Sequence, residues 1–426
     1  MSNQETTLTD QVRAVSFFEQ ANVLYEQLPI GPGIPFGVTQ IYHPILGIGG
    51  AYGTWGAAYN NADLKTLVED RLEKSLNPED LMELGSLGFL SRHHIQDLLD
   101  DDHLALEIEV GARFLHAAME ACGWNPDEID GVLIGSSGPV ANDYTELIAR
   151  RAGIRESALK VSVHKACDSS VGALHLALNP ELPANHKSGR NIAEELYGKK
   201  VLVGGIEGLS RFVRASNDHN ALQLFGNGGG VIGVIPGNNM RFLVGKTHEA
   251  FDEEGVLGVR MYYPHSKQKS ADESFVEVSQ AGENHIRVAG MMNEPADGSP
   301  ISMAGPMGMV KLFVRTGVEV VKEAYAAYQA KMNELGTAGK EIASVVVHHA
   351  NLKINRLKEK HLNKEGIYLP MPWVISDFGN VSAASNMIAF LRQLAGIKPG
   401  DHILIDGFGA GTYYDVLAVE LPGMVG

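Results

Sequence analysis

The hydrophobic period of the sequence changes at Cys167, and this change most constrains how the chain folds. Residues 161–164 alternate between apolar and polar side chains, as a short strand does. Residues 171–178 instead place apolar side chains at the spacing of a helix, after Asp168, Ser169 and Ser170, which favour helix starts. The pattern predicts a strand that turns directly into a helix, with Cys167 at the corner.

The second half of the chain repeats this pattern weakly. Residues 344–347 form an apolar run like residues 131–134, and Asn380 opens a segment of small residues followed by a helical apolar face. We therefore predict an α/β chain of two similar halves. Residues 39–238 are the N-terminal half with the cysteine, residues 239–426 are the C-terminal half, and residues 1–38 are an N-terminal extension that acts as an arm.

A cysteine at such a corner suits nucleophilic chemistry. A helix start carries unpaired backbone N–H groups and the positive end of the helix dipole. Both lower the pKa of a thiol, and the amides can hold a negatively charged oxygen. The alternative is that Cys167 is a small core residue, as a lone cysteine in an apolar segment usually is. Asp168 adds a negative charge beside the thiol, which Lys165 or His164 can offset.

The composition argues against several classes of protein. A formal net charge of −16 argues against a nucleic-acid binder, which carries a basic excess. The sequence has no run of about 18 apolar residues, so it predicts no membrane-spanning helix, and its polar N-terminus lacks the apolar core of a signal peptide. The two cysteines, Cys122 and Cys167, form neither a disulfide framework nor a CxxC metal site. We therefore expect a cytoplasmic protein without a bound metal.

Three further motifs combine with Cys167. His348-His-Ala-Asn351 follows the apolar run of the second half, Gly379-Asn380-Val-Ser-Ala-Ala-Ser385 opens its helix, and Phe408-Gly-Ala-Gly411 lies in a closing hairpin. In this order the motifs resemble those of the thiolase superfamily of condensing enzymes, in particular the β-ketoacyl-acyl-carrier-protein synthase III family. The resemblance covers roughly residues 40 to 421.

The resemblance implies a fold, a set of roles and a set of partners. The fold is thiolase-like, with five layers in the order α-β-α-β-α, and the protein is a homodimer. Cys167 is the nucleophile, and His348 and Asn380 donate hydrogen bonds to an enolate. The backbone of Cys167 and of the turn at Gly409 and Ala410 holds the oxyanion. The substrates are thioesters of coenzyme A or of an acyl carrier protein, and no cofactor is needed.

Other interpretations of the same residues remain open. His348 or His349 taken alone is more often a core histidine, and the motif match alone selects His348. Asn380 taken alone is more often a turn or cap residue. Lys353 and Arg356, with Lys358 and Lys360 beyond them, make a candidate landing site for a carrier protein or a pantetheine phosphate; a solvated helix face is the alternative.

The predicted reaction is acylation of Cys167, followed by decarboxylative Claisen condensation with a malonyl-type thioester. Asn380 suits this reaction because no proton has to be removed from carbon. One alternative keeps the cysteine but changes the acceptor, giving an ester- or amide-forming acyltransferase or a hydroxymethylglutaryl-coenzyme A synthase-like enzyme. Another alternative is a non-catalytic partner subunit of a condensing complex.

Overall fold

Two sheets and the helices around them organise the chain. The computed structural model describes residues 22–30, 33–80, 83–95, 98, 100–137, 141, 143–187, 189–211, 219–249, 259–261, 276–290, 301–303, 310–409 and 413–423. Its strands are β1 (Asn22–Leu28), β2 (Ile34–His43), β3 (Ile48–Trp55), β4 (Ala57–Asn60), β5 (Ser91–His94), β6 (Gly131–Gly135), β7 (Leu159–His164), β8 (Val201–Glu207), β9 (Gly228–Val234), β10 (Arg241–Glu249), β11 (Val259–Met261), β12 (Val276–Gly282), β13 (His285–Gly290), β14 (Ile301–Met303), β15 (Ile342–Val347), β16 (Asp401–Gly409) and β17 (Tyr413–Leu421).

The helices alternate with these strands in the manner of an α/β protein. They are α1 (Asn61–Leu72), α2 (Asp100–Cys122), α3 (Tyr144–Arg151), α4 (Ser169–Leu178), α5 (Pro183–Lys187), α6 (Ile192–Leu196), α7 (His219–Leu224), α8 (Gly317–Glu334), α9 (Leu352–Lys364) and α10 (Ser385–Gln393). Within the described part of the chain, no helix is both long and apolar enough to cross a bilayer.

The two halves share one strand pattern. The nine-stranded first sheet has the order β1-β2-β3-β9-β8-β6-β7-β13-β12, and the four-stranded second sheet has the order β10-β17-β16-β15. The run β3-β9-β8-β6 contains two antiparallel pairs and then a parallel pair. The second sheet repeats this sequence of pairings from β10 to β15. The predicted duplication is therefore present in the topology.

Five layers result from this duplication. Helices α4 and α10 lie between the two sheets, α2 and α3 cover the outer face of the first sheet, and α8 and α9 pack on the outer side of the second. All ten residues of α4 are buried, as expected for a helix enclosed on both sides. The predicted α-β-α-β-α arrangement is present, and the two middle-layer helices are those that follow Cys167 and Asn380.

The N-terminal segment differs from its prediction as an arm. Residues 1–21 lie outside the described residues, but β1 and β2 pair along their length and belong to the first sheet. The sequence of residues 40–48 predicts a single strand, but these residues are the end of β2, a turn and the start of β3. Buried and less buried side chains alternate along β2 from Ile34 onward, as in a strand. The strand start is hidden in the sequence because Pro35 and Gly37, which are typical of loops, lie within this alternation.

The second half also contributes to the first sheet. The chain passes from the first sheet to the second between β9 and β10, close to the predicted boundary at residue 239. It later returns, because the hairpin of β12 and β13 adds to the edge of the first sheet. Strand β13 pairs parallel to β7, with His285 opposite Lys160.

Predicted helix ends show where sequence signals are reliable. Residues Asn61-Ala-Asp-Leu64 predict a helix start, and α1 begins at Asn61, since the side chain of Asn60 accepts hydrogen bonds from the amides of Ala62 and Asp63 at 2.8 and 3.0 Å. The acidic residues after Pro78 predict a second helix, but the structure has only a 3₁₀ turn there, Pro78–Asp80. The sequence also predicts one long helix over residues 309–336, but this segment begins as a π-helix over Val310–Thr316, and α8 proper starts at Gly317.

Candidate active site

Cys167 lies at a tight corner between β7 and α4. The amide of Lys165 donates to the hydroxyl of Ser169 at 2.7 Å, and that hydroxyl donates to the carbonyl of Ala166 at 2.6 Å. Ala166 has a φ of 51°, a left-handed conformation that a residue with a Cβ adopts at a cost of about 1–2 kcal/mol. These bonds hold the strained corner in place. The predicted strand-to-helix corner is thus confirmed, and Cys167 comes just before Asp168, the N-cap residue of α4.

A second corner lies between Asn380 and Ser385. The amide of Asn380 donates to the carbonyl of Leu224 at 3.0 Å, and its side-chain oxygen accepts from the amide of Ser382 at 2.9 Å. Its side-chain nitrogen contacts one acceptor among the described residues, the carbonyl of Ala350 at 3.3 Å. A carboxamide nitrogen carries two N–H donors. Asn380 is therefore fixed in orientation and keeps one donor for a substrate.

The two corners meet at the sulfur of Cys167. Ser382 has a φ of 44°, and its hydroxyl donates to the Cys167 Sγ at 3.0 Å. A hydrogen bond to the charged form of a group favours that form, so this hydroxyl stabilises a thiolate. Cys167 is 9% exposed, so its sulfur is shielded from bulk water but is not sealed in the core. One residue from each half therefore contributes to the same reactive atom.

The Ser382 hydroxyl gives a first testable prediction. Changing Ser382 to Ala removes the hydrogen bond to Sγ, worth about 1 kcal/mol, and is expected to slow acylation of Cys167 roughly five-fold. Rapid-quench measurement of the acyl-enzyme gives this rate. The control is Ser382→Gly, which removes the same hydroxyl and also relieves the positive φ. Equal slowing in both variants assigns the effect to the hydroxyl, whereas wild-type rates in both would contradict it.

The structure distinguishes the two adjacent histidines. The Nδ1 of His349 bonds to the carbonyl of Val347 at 2.7 Å, and its Nε2 accepts from the amide of Val374 at 3.1 Å. Both ring nitrogens of His349 are thus occupied by backbone, and its ring packs on Trp373 with centroids 4.5 Å apart. This histidine supports the chain segments on either side of it.

His348 has the environment of a neutral hydrogen-bonding group. Its Nδ1 lies 2.5 Å from the hydroxyl of Ser385, and its ring meets Phe408 edge-on at 5.0 Å. Burial, together with the nearby His349 and Lys358, lowers the pKa of His348 to about 3. The imidazole is therefore neutral at physiological pH. When the Ser385 hydroxyl donates to Nδ1, the ring proton lies on Nε2, where it can be donated to a substrate.

Gly409 lies against the backbone of Cys167. A Cβ at this position would lie 2.8 Å from the Cys167 nitrogen and 2.9 Å from the Asp168 nitrogen. Only a residue without a side chain fits so close to another backbone. Two of the three positions predicted for the oxyanion hole, Cys167 and Gly409, are therefore adjacent. The third, Ala410, lies outside the described residues.

A buried charge network supports the Cys167 corner. The Nζ of Lys165 lies 3.0 Å from Asp168 Oδ2 and also contacts Asp415 Oδ2, while Asp415 Oδ1 lies 2.7 Å from Nδ1 of His175. Burial, together with Asp415, raises the pKa of Asp168 well above its usual range. Although burial alone would raise the pKa of Asp415, Lys165 and His175 hold it below its usual range. Burial thus opposes a negative charge on Asp168, the charge that the sequence places beside the thiol.

Sequence reasoning missed Glu207, at the end of β8. Its carboxylate accepts from the amide and hydroxyl of Ser137 at 2.7 and 2.8 Å, and from the amide of Ala383 at 3.1 Å. Burial raises the pKa of Glu207 to about 8. The residue links the first half to the turn that holds Ser382. The sequence signal that could have identified Glu207 is its position as the one acidic side chain at the end of the otherwise apolar strand Val201–Glu207.

The basic residues predicted as a docking site divide into two groups. Lys353 and Arg356 are exposed on α9, where Lys353 lies 3.8 Å from Glu83 and Arg356 lies 2.9 Å from Glu359. Lys358 was wrongly included with this surface, because it is completely buried and pairs with Asp406. A helix pattern alone does not show which side of α9 faces the sheet when a lysine has a buried partner.

The second cysteine, Cys122, is less suited to act as a nucleophile than Cys167. Burial raises the pKa of Cys122 to about 12, and its sulfur packs beside Gly233 and Gly49. Cys122 is thus a partly buried packing residue near the end of α2. Among the residues that the structure describes, no group of three or more His, Cys, Asp or Glu side chains is arranged to hold a metal ion.

Comparison with known proteins identifies sequence relatives that cover most of this chain. Residues 332–421 match the family model described as 3-oxoacyl-[acyl-carrier-protein (ACP)] synthase III C terminal. The β-ketoacyl-[acyl-carrier-protein] synthase III of Neisseria meningitidis serogroup B is 28% identical over 331 residues, which are 75% of this chain and 86% of that protein. The synthase III 1 of Halalkalibacterium halodurans is 24% identical over 358 residues, 82% of this chain and 92% of that protein.

Solved structures share the fold. The 3-oxoacyl-[acyl-carrier-protein] synthase III from Aquifex aeolicus aligns over 88% of this chain and 99% of its own, with a TM-score of 0.57 and 21% identity. The type III polyketide synthase 1,3,6,8-tetrahydroxynaphthalene synthase from Streptomyces coelicolor aligns over 87% of this chain and 96% of its own, with a TM-score of 0.54 and 13% identity. These matches confirm the thiolase-like fold and the resemblance that the motifs indicate.

Proposed function

We propose that this chain, a thiolase-fold relative of the 3-oxoacyl-[acyl-carrier-protein] synthase III enzymes, condenses an acyl group held on Cys167 with a malonyl-type thioester. The observation that carries the proposal is the meeting of the two corners, where Ser382 contacts the Cys167 sulfur and Ser385 contacts His348. One short turn thereby positions a thiol and a neutral imidazole, and Asn380 opens the same turn.

The first half-reaction is acyl transfer to the protein. The thiolate of Cys167 attacks the carbonyl carbon of an acyl thioester and forms a new carbon–sulfur bond. The original carbon–sulfur bond breaks, and coenzyme A or the carrier protein leaves as a thiolate that takes a proton from water. A covalent acyl-enzyme divides one difficult transfer into two easier steps. The backbone at Cys167 and Gly409, held together by their close approach, supports the negative oxygen of the tetrahedral intermediate.

The second half-reaction forms the carbon–carbon bond. The malonyl-type thioester loses carbon dioxide, and its electron pair remains as an enolate. The Nε2–H of His348 and the second amide N–H of Asn380 donate to the enolate oxygen, and the enolate carbon then attacks the acyl carbonyl. The carbon–sulfur bond breaks, the 3-oxoacyl thioester leaves, and Cys167 returns as a thiolate. Because decarboxylation supplies the electron pair, no base has to take a proton from carbon.

The position of Glu207 bears on the main alternative. A hydroxymethylglutaryl-coenzyme A synthase-like condensation needs a carboxylate base at the substrate. Glu207 is a carboxylate close to the turn, but its oxygens accept hydrogen bonds from Ser137 and Ala383, which suits a positioning role. Three hydrogen bonds thus already occupy Glu207, whereas the decarboxylative reaction needs no carboxylate base.

Mass spectrometry of the intact protein after incubation with a panel of acyl thioesters tests this proposal. We expect one acyl adduct, and peptide mapping should place it on Cys167 rather than on Cys122, which serves as an internal control. Adding a malonyl thioester should then release carbon dioxide and remove the adduct. Transfer to an alcohol or amine without carbon dioxide would indicate an acyltransferase. No adduct from any thioester would indicate a non-catalytic partner subunit and overturn the proposal.

We further propose that the exposed face of α9 receives an acidic acyl carrier protein. Lys353 and Arg356 lie on the helix that Asn351 caps, three residues after His348. Two exposed charges of this kind contribute about 0.5–1 kcal/mol each. The double variant Lys353→Glu/Arg356→Glu is expected to raise the KM for a carrier-protein substrate about ten-fold and to leave the KM for a short pantetheine thioester unchanged.

A matched control for this face lies at the opposite end of the second sheet. Lys340 and Lys398 are exposed and precede the starts of the parallel strands β15 and β16, whereas His348 and Gly409 lie at their ends. The variant Lys340→Glu/Lys398→Glu makes the same change in net charge. An equal rise in KM in both double variants would contradict docking on α9. The proposal also places the protein in the cytoplasm and makes it a homodimer. Sedimentation of the purified protein would test the dimer.

A further inference from the structure

Glu207 is a buried carboxyl group between the two corners of the candidate active site. It ends β8 and is 1% exposed. Its Oε1 accepts from the amide of Ser137 at 2.7 Å and from the amide of Ala383 at 3.1 Å. The strand itself packs on the turn, because a Cβ on Gly205 would lie 2.8 Å from the Cα of Ala384. One oxygen atom thus bridges a loop of the first half and a turn of the second.

The bond to Ala383 constrains the backbone of Ser382. The amide of Ala383 belongs to the rigid peptide plane that follows Ser382, and the amide of Ser382 belongs to the plane before it. Glu207 holds the later plane. Asn380 holds the earlier plane, because its Oδ1 accepts from the Ser382 amide at 2.9 Å. Side-chain acceptors therefore constrain both backbone dihedrals of Ser382, including its φ of 44°, and direct its hydroxyl to the Cys167 Sγ at 3.0 Å.

The bonds to Ser137 lead to the other corner. The preceding residue, Ser136, has its carbonyl oxygen 3.2 Å from Nδ1 of His164 and 3.3 Å from the hydroxyl of Ser169. His164 ends β7 and Ser169 begins α4, so both belong to the corner between these two elements. The carboxyl group thus joins that corner to the turn that donates a hydrogen bond to its thiol.

We propose that Glu207 is a positioning residue that holds the two corners together, so that the Ser382 hydroxyl donates to the Cys167 thiolate. The role rests on the proposed function, in which Cys167 is the nucleophile. Glu207 acts as a hydrogen-bond acceptor and not as a base. Both backbone amides meet at Oε1, and a carboxyl group protonated on Oε2 still accepts at Oε1. The amide oxygen of a glutamine side chain accepts in the same way.

Alkylation of Cys167 by iodoacetamide at a series of pH values tests this role without any thioester. The midpoint of the rate profile reports formation of the thiolate, and peptide mapping separates Cys167 from Cys122. Glu207→Ala is expected to raise the midpoint by about 0.5–1 pH unit, because the Ser382 hydroxyl is no longer held on the sulfur. Glu207→Gln is expected to recover most of this shift, since its amide oxygen can accept from both backbone amides.

A double variant shows whether the effect passes through Ser382. In a Ser382→Ala background, Glu207→Ala is expected to raise the midpoint by little more, because the hydroxyl that it positions is already gone. If Glu207→Ala does not fold, Glu207→Asp replaces it. The aspartate carboxyl is one methylene shorter and cannot reach both amides, so the midpoint should again rise.

Glu107 supplies a matched control for the loss of a buried carboxyl group. It is also buried, but its carboxylate lies 3.4 Å from Arg211. Glu107→Ala is expected to lower the melting temperature and to leave the alkylation midpoint of Cys167 unchanged. An equal rise of the midpoint in Glu107→Ala and Glu207→Ala would assign the effect to general destabilisation and contradict the positioning role.

Two further outcomes would overturn the proposal. One is an unchanged alkylation midpoint in a folded Glu207→Ala or Glu207→Asp variant. The other is a Glu207→Gln variant that loses condensation as fully as Glu207→Ala while both keep the wild-type midpoint, which would make Glu207 a base.

The proposed function and the positioning role fail in different ways. If no thioester acylates Cys167, the proposed function is wrong, yet alkylation still shows whether Glu207 holds the Ser382 hydroxyl on the sulfur. If acylation and condensation occur but the midpoint is the same with and without Glu207, the function stands and the positioning role is wrong.

Discussion

Replacing Cys167 with alanine is expected to abolish the acyl-enzyme and to lower condensation at least about 10⁴-fold, because the covalent step has no other route. The sulfur is the atom on which the hydroxyl of Ser382 and the start of α4 converge. Ser382 and the backbone of Gly409 remain in place in the variant, but they have no nucleophile to assist. The measurement is the intact mass after incubation with the accepted thioester, together with the steady-state rate of 3-oxoacyl product formation.

Cys122 supplies the matched control for this experiment. Its thiol is raised to a pKa of about 12 by burial, so it is not a nucleophile at neutral pH. Cys122→Ala is therefore expected to keep the acyl adduct and the condensation rate within a few-fold of wild type. An adduct that persists in Cys167→Ala, or one that disappears in Cys122→Ala, would contradict the assignment of Cys167 as the nucleophile.

The second large effect separates the two half-reactions. His348→Ala is expected to leave acylation of Cys167 within a few-fold of wild type and to slow decarboxylation about 10²–10³-fold, the usual effect of losing one donor to an oxyanion. The reason is that, in the proposed reaction, His348 donates to the enolate, which forms only after the acyl group has been transferred. Release of labelled carbon dioxide from a malonyl thioester, measured on enzyme that has been acylated beforehand, gives the decarboxylation rate.

His349 provides the comparison for this variant. Its two ring nitrogens are bonded to the backbone of Val347 and Val374, so His349→Ala leaves a buried carbonyl and a buried amide without their partners. Each such loss costs about 1–3 kcal/mol. We expect a lower melting temperature and a similar loss in both half-reactions. If His349→Ala stopped only decarboxylation and His348→Ala only lowered stability, the two histidines would have exchanged roles.

The sequence was sufficient for features that depend on local pattern. The corner at Cys167, the start of α1 at Asn61 and the strand Gly131–Gly135 all follow from a change of period, a capping side chain or an apolar run. The repeated pattern also predicted the duplication that the two sheets show. These features are encoded within about ten neighbouring residues, a length over which the period of a helix or strand can be read.

Features that depend on distant partners were missed. Lys358 was interpreted as surface charge because its partner, Asp406, lies 48 positions away on another element. Asp168 was expected to carry a charge of ordinary strength, since nothing in the local sequence indicates that burial and Asp415 raise its pKa. Strand β1 was missed for the same reason, because only its pairing with β2 shows that it belongs to the first sheet.

The hairpin of β12 and β13 means that the order of synthesis matters to this protein. Strand β7 leads to Cys167. Its outer edge is covered only when β13 pairs with it, which places His285 opposite Lys160. During translation the strand before the nucleophile therefore emerges with one edge open, and open edges invite contacts with other chains. The corner is completed later still, when Asp415 on β17 reaches Lys165. A ribosome-bound fragment ending before β13 should consequently need a chaperone that shields an exposed strand.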